Sequence, residues 1–163
     1  MAARTQLAHV AAAQGTYVVE KIAGRPHSIK LEVVPNGMFV SLPIVPNCIY
    51  TDPEIATVGI TEEIAKKYGL KVRCGHFSMR DNGKSIITGE EHGFIRLLFE
   101  AYSNPIVGAQ MMCPRATDMI GEIATAIANG LTAQEMSFAM RAQPTYNEGI
   151  GAAIEDAMRQ NPV

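Results

Sequence analysis

The chain has 163 residues and a formal net charge of −2, enough for one compact domain with an appendage. Its near neutrality removes the electrostatic case for nucleic acid or an anionic membrane as a partner. No apolar run approaches the ~20 residues of a bilayer-spanning helix, and the N-terminus lacks a signal peptide's charged and apolar regions, so a cytoplasmic protein is expected.

In chain order, Thr5 to Lys21 reads as a helix, with Leu7, Val10, Ala11, Gln14 and Val18 at helical spacing, Thr5 as N-cap and Gly24 as stop. Ser28–Val34 and Met38–Leu42 are strand-like runs around Pro35-Asn36-Gly37, good hairpin punctuation. Pro43 and Pro46 mark an extended seam between an appendage over residues 1–45 and a main domain over residues 46–163. Cys48–Thr51 and Glu54–Gly59 look like strand interrupted at Asp52-Pro53. Thr61 caps a short helix whose first turn holds Glu62 and Glu63, where acids suit the positive helix end. Val72–Ser78 is a strand, and Asp81–Glu90, holding Asn82-Gly83, reads as a loop without a Walker phosphate pattern. Phe94–Glu100 and Ile106–Met112 form an antiparallel pair.

Three helices close the chain. Ile120, Ile123, Ala124, Ile127 and Ala128 share one face, with Asn129-Gly130 as C-cap. Thr132 with Glu135, and Thr145 with Glu148, have capping-box spacing. After the second box, Ile150, Ala153, Ile154, Ala157 and Met158 repeat the apolar stripe. Strands followed by helices predict an α+β fold, an antiparallel sheet of about four to five strands with helices packed on one face. The stripes of the final helices, with Met111 and Met112, are expected to form much of a two-fold interface.

The three cysteines, Cys48, Cys74 and Cys113, are odd in number and far apart, which excludes a CxxC motif and argues against a secreted disulfide framework. His9, His27, His76 and His92 lack metal-ligand spacing with them, so no metal site is expected.

Four collinear segments carry a resemblance. Ile49-Tyr50-Thr51-Asp52-Pro53-Glu54-Ile55-Ala56-Thr57-Val58-Gly59, Gly93-Phe94-Ile95-Arg96-Leu97, Ile106-Val107-Gly108-Ala109, and the helix from Arg115 with the Pro144–Glu148 stretch resemble the C-terminal dimerisation domain of the pyridine nucleotide–disulfide oxidoreductases, dihydrolipoamide dehydrogenase above all. The resemblance covers Cys48 to Met158. Leu7-Ala8-His9, with Gln6 at a methionine position, is similar to the stretch ending that family's flavin domain, where the helix N-terminus faces the flavin ring and its free N–H groups favour negative charge. By this resemblance residues 1–45 are a remnant of the flavin domain, and Gln6, Leu7, Ala8 and His9 face the flavin in the parent enzyme.

The sequence has neither GxGxxG nor Cys-x4-Cys, so this piece is expected to bind no cofactor and to be inactive alone; FAD and NAD belong to the parent enzyme, which passes electrons from a dithiol through FAD to NAD. The implied partners are a second copy through the C-terminal domain and the parent's own flavin and nicotinamide domains.

Ala142-Gln143-Pro144-Thr145-Tyr146-Asn147-Glu148 resembles the family's His-Pro-Thr-x-x-Glu segment, with Gln143 where the catalytic histidine stands. An amide does not titrate near neutral pH, so the general base is lost, a change that typically costs ~10²–10⁴ in rate. Glu148 either orients the base in the family's manner or caps a helix, and the capping role accounts for it without a histidine. Arg141 adds positive charge near this position, to stabilise a thiolate, to recognise an acidic substrate or, the reading preferred, as a solvated surface residue. In the family the histidine–proline bond is cis, so a cis Gln143-Pro144 is expected. Two other readings stay open: a stand-alone dimerisation or interaction module without a redox role, and a relative acting on a non-dithiol substrate.

Overall fold

The computed structural model describes residues 7–26, 32–33 and 42–160. The helix α1 spans Ala8–Ile22, with Leu7 in the cap position; the expected cap Thr5 and the flavin-facing Gln6 lie outside the described residues. Of the appendage hairpin, β1 (Glu32–Val33) and β2 (Leu42–Pro43) pair antiparallel, and the Pro35-Asn36-Gly37 turn is not among the described residues. His27 is outside them as well.

The main sheet has five antiparallel strands in the order β3-β4-β7-β6-β5. These are β3 (Asn47–Ile49), β4 (Glu54–Gly59), β5 (Val72–Ser78), β6 (Phe94–Glu100) and β7 (Ile106–Cys113). Asp52-Pro53, a cis bond, lies between β3 and β4. In register across the sheet run Ala56, Met111 and Ile95, then Val58, Ala109 and Leu97. All six are 3% exposed or less, because this face carries the two long C-terminal helices. The opposite face bears Ile55, Thr57, Phe94, Arg96, Gln110 and Met112, all half-buried.

α4 (Ala116–Asn129) packs on β4 and β7, and α6 (Glu148–Arg159) on β5 and β6. Their apolar stripes are consumed there. Ile120, Ile123, Ile127, Ile150, Ala153, Ile154 and Ala157 are 2% exposed or less, and burying each isoleucine contributes about 2 kcal/mol. This corrects the expectation of a two-fold interface for Met111 and for these buried members of the stripes, which the chain's own sheet covers; Met112, Ala124 and Ala128 stay half-buried and Met158 is 38% exposed. Contact is close because Gly75 of β5 lets α6 approach. A methyl group there would lie 2.9 Å from the Ala157 Cβ and would overlap the Ala153 carbonyl. At the far end of α6, the Asp156 carboxylate accepts from the His76 N–H at 2.9 Å, and the Gln160 amide donates to the Cys74 carbonyl at 2.8 Å.

Local signals explain the shorter elements. The Thr61 hydroxyl caps α2 (Glu62–Lys67), accepting from Ile64 N–H at 3.2 Å. Thr132 and Glu135 form the reciprocal box that starts α5 (Ala133–Ser137). Asp81–Glu90 is not a loop. It holds the end of a 3-10 turn, Met79–Asp81, and the helix α3, Gly83–Thr88. Asn82, expected to sit in a turn, is the cap: its Oδ1 accepts from Ser85 N–H at 2.9 Å, and Gly89 closes the helix in the left-handed conformation with φ 71°. The β6–β7 turn is held by the buried Glu100 carboxylate, which accepts from the N–H groups of Tyr102 and Ser103 and from the Ser103 hydroxyl.

Among the described residues, no helix is long and apolar enough to cross a membrane.

Candidate functional site

Residues 141–148 connect α5 to α6 and run past α3. Hydrogen bonds fasten this stretch at Ala142, Thr145 and Tyr146. The Thr145 hydroxyl donates to the Ala142 carbonyl at 2.6 Å, and the Thr145 N–H donates to the Glu148 carboxylate at 2.9 Å. The Thr145 carbonyl accepts from the Asn82 amide at 3.0 Å. The Tyr146 hydroxyl meets Thr88 Oγ1 at 2.9 Å and donates to the Glu90 carboxylate. The Gln143-Pro144 peptide bond is cis, as expected.

Two expectations for this stretch need correction. Thr145 does not cap α6, because its hydroxyl is spent on Ala142; the residue in the cap position is Asn147, which makes no side-chain capping bond. Only the Glu148 half of the expected box is present, the carboxylate holding Thr145 N–H. Arg141 is not a solvated surface residue. Its side chain is 10% exposed and its guanidinium lies 2.6 Å from Glu122 of α4. The other Glu122 oxygen accepts from Asn147 at 3.3 Å. With its charge neutralised by Glu122, Arg141 serves as a tether between α4 and this segment, and sequence alone gave no sign of a partner nineteen positions away.

Gln143 itself is exposed, and its side chain makes no hydrogen bond among the described residues. It borders a cleft of about 610 Å³ with Asp81, Asn82, Ser137, Arg141, Glu148 and Glu155. The arrangement offers an amide that can donate and accept but cannot take a proton at neutral pH. Beside it, Phe138 is 74% and Met140 99% exposed, an apolar pair without a signal in the sequence because it falls after the periodic stretch of α5.

The cysteines are not redox partners in waiting. Burial first, and then the Glu62 carboxylate, push the Cys74 thiol up to about 11. Burial with the Glu54 carboxylate pushes Cys113 up to about 12, and the same two causes raise Cys48. All three stay protonated at neutral pH and lack the thiolate that exchange chemistry requires.

At the other end of the chain, His9 Nε2 lies 3.0 Å from the Pro46 carbonyl, which ties α1 to the start of the main sheet. No side chain caps α1, and its first turn carries no acid. Its leading N–H groups thus carry the positive end of the helix without a carboxylate among the described residues to answer it. The phosphate-binding glycine fingerprint has no counterpart in this sequence. Among the described residues no direct bond joins this end to Gln143.

The profile described as pyridine nucleotide-disulphide oxidoreductase, dimerisation domain, matches residues 45–154. The dihydrolipoyl dehydrogenase of Haloferax volcanii is 34% identical over 154 residues, covering 94% of this chain and 30% of its own length. That of Bacillus subtilis is 37% identical over 149 residues, covering 91% of this chain and 29% of its own. The crystal structure of LpdA from Mycobacterium tuberculosis shares the fold with a TM-score of 0.81 at 25% identity, over 96% of this chain and 31% of that one. The HOCl-induced flavoprotein disulfide reductase RclA of Escherichia coli matches in fold, with a TM-score of 0.75 at 15% identity, over 94% of this chain and 32% of that one. The chain thus spans about three-tenths of the length of these relatives.

Proposed function

We propose, since this chain belongs to the pyridine nucleotide–disulphide oxidoreductases and is the dimerisation domain of a dihydrolipoyl dehydrogenase-like oxidoreductase, that it pairs two copies of a cytoplasmic enzyme and contributes assembly rather than proton transfer. The observation that carries this reading is the exposed Phe138 and Met140 beside a tightly fastened segment that presents Gln143. Two large apolar side chains this open to water favour burial against a partner, and a second copy brings the same pair.

In the parent enzyme, FAD and NAD when bound supply the electron relay that accepts electrons from a dithiol. Leu7, Ala8 and His9, with Gln6 before them, would face the flavin through the open first turn of α1. Gln143 takes the place of the family's histidine and hydrogen-bonds without abstracting a proton, while Glu148 holds Thr145 N–H rather than orienting a base. Alone, the chain is inactive: its thiols are protonated and its amide does not titrate. The open amide also favours a second reading, in which the parent acts on a substrate that needs no base at this position.

Light scattering at micromolar concentration tests the pairing. The wild-type chain is expected at twice its monomer mass and Met140→Asp with Phe138→Asp as monomer. A wild-type monomer overturns the proposal. In the parent enzyme, Gln143→His separates the two readings. A gain of ~10²-fold or more in lipoamide activity marks a lost base, and no gain marks a different substrate.

A further inference from the structure

The segment that presents Gln143 is braced by an element with no evident purpose in the core. α3 is six residues long, and its Ile86 and Ile87 are exposed at 57% and 66%, so its burial explains little of its presence. Its polar groups explain more. At its start, Asn82, 2% exposed, uses both ends of its amide: Oδ1 accepts from Ser85 N–H while Nδ2 donates to the Thr145 carbonyl. At its finish, Thr88 and Glu90 both engage the hydroxyl of Tyr146. The helix thus bridges two successive residues of the 141–148 segment, one from each end. From the other side, Glu122 grips Arg141 and Asn147.

We infer that α3 and Tyr146 form a clamp that holds the backbone next to Gln143, fixing the place from which its free amide is offered across the interface. This inference rests on the reading of Gln143 as a hydrogen-bonding group at the pairing surface, and it assigns Tyr146, Thr88 and Glu90 as positioning residues. Ala142, Gln143 and Pro144 are the exposed residues of the segment, with the Thr145 hydroxyl closing back on the Ala142 carbonyl and Thr145 itself held by Asn82. A backbone already fixed beside Gln143 leaves only the side chain to be ordered when a partner is met.

Electrostatics give the clamp a pH signature. Hydrogen bonds from Tyr146 and then Thr88 hold the Glu90 carboxyl below the usual carboxylate range, and Arg115 and Lys84 add to this. Asp52 and Glu54 line the same cleft with Lys84 and Arg115. Because the folded-state value is lowered, the clamp is complete at neutral pH and is lost as pH falls through that value.

The test uses the ¹⁵N-labelled chain. Asn82 is unsuited to it because it also starts α3. Tyr146→Phe keeps the ring, which packs against the core, and Glu90→Gln alters an exposed residue. At pH 7 each variant is expected to raise hydrogen exchange at Thr145 N–H about fivefold, as loss of one hydrogen bond of ordinary net strength does. The order parameter of the Gln143 backbone N–H should fall from the rigid range near ~0.85 toward ~0.6, with mid-sheet Leu97 and Ala109 unchanged. Unchanged exchange and order in both variants at pH 7 overturn the inference; acidification is left out of the test because the Glu148 carboxylate that accepts from Thr145 N–H would be protonated as well. Light scattering on the same samples reads the pairing separately, so a failed dimer and a failed clamp are distinguishable.

Discussion

Replacing Gly75 by alanine tests how closely α6 must seat on the sheet. The new methyl group would lie 2.9 Å from both the Ala157 Cβ and the Ala153 carbonyl carbon, against the 3.5–4.0 Å at which carbon atoms rest. Neither neighbour can rotate away, since one is backbone and the other a Cβ, so α6 must move off by roughly 1 Å. That displacement lifts Ile150, Ile154 and Ala157 from the core together, and overpacking of this kind costs about 1–3 kcal/mol. It also strains the bonds from Asp156 and Gln160 to β5, worth about 1 kcal/mol each, while removing glycine from a strand returns about 0.5–1 kcal/mol. The net expectation is a loss of about 3 kcal/mol, or a Tm lower by roughly 6–12 °C for a domain of this size. Urea unfolding followed by far-UV circular dichroism, at one fixed protein concentration because pairing shifts apparent stability, gives the value directly. Gly121→Ala is the control. It lies within α4, where an added methyl group would meet no atom within 4 Å, and should gain about 0.5–1 kcal/mol. A Gly75→Ala chain within about 0.5 kcal/mol of the wild type, at unchanged m-value, would show that α6 seats more loosely than argued.

Two further outcomes are expected. Arg115 holds φ 60°, a left-handed conformation that costs L-residues about 1–2 kcal/mol, and its ion pair with Asp118 at 3.8 Å is exposed and contributes little; Arg115→Gly should raise Tm by about 2 °C in a thermal melt. Burial raises the Glu100 carboxyl, but hydrogen bonds from Ser103, Tyr102 and Asn104 outweigh it and hold the group below its ordinary 4.5, so its contribution is present at neutral pH and lost as pH falls through the lowered value. Glu100→Gln should therefore cost about 1 kcal/mol at pH 7 and flatten the acid limb of a stability-versus-pH curve followed below the ordinary value of 4.5.

Elements whose signals are local were legible in the sequence. Thr61 and the Thr132–Glu135 box cap the helices they were expected to cap, and Val72–Ser78 is a strand to the residue. Misreadings arose where one residue type serves two purposes or where the partner is remote. Asn82-Gly83 has turn chemistry, yet the same asparagine caps α3 once Thr145 takes up its other amide end. Thr145 and Glu148 have box spacing, but a carbonyl at Ala142 captures the threonine. Arg141 became a buried tether through Glu122, and Tyr146 found Glu90 fifty-six positions away. No periodicity encodes such meetings. The cis Gln143-Pro144 bond was legible through resemblance to a family and not through the residues' own propensities.

The bonds from the end of α6 to β5 have a consequence beyond holding a helix. β5 is the last strand of the sheet, and a terminal strand ordinarily offers a row of open N–H and C=O groups on which a foreign strand can crystallise. Here the outward N–H of His76 and carbonyl of Cys74 are answered by side chains of the chain's own C-terminal helix. Two of the groups that a foreign strand would need are thus already taken, midway along this edge. An extended segment adding to the sheet at β5 would first have to displace the end of α6.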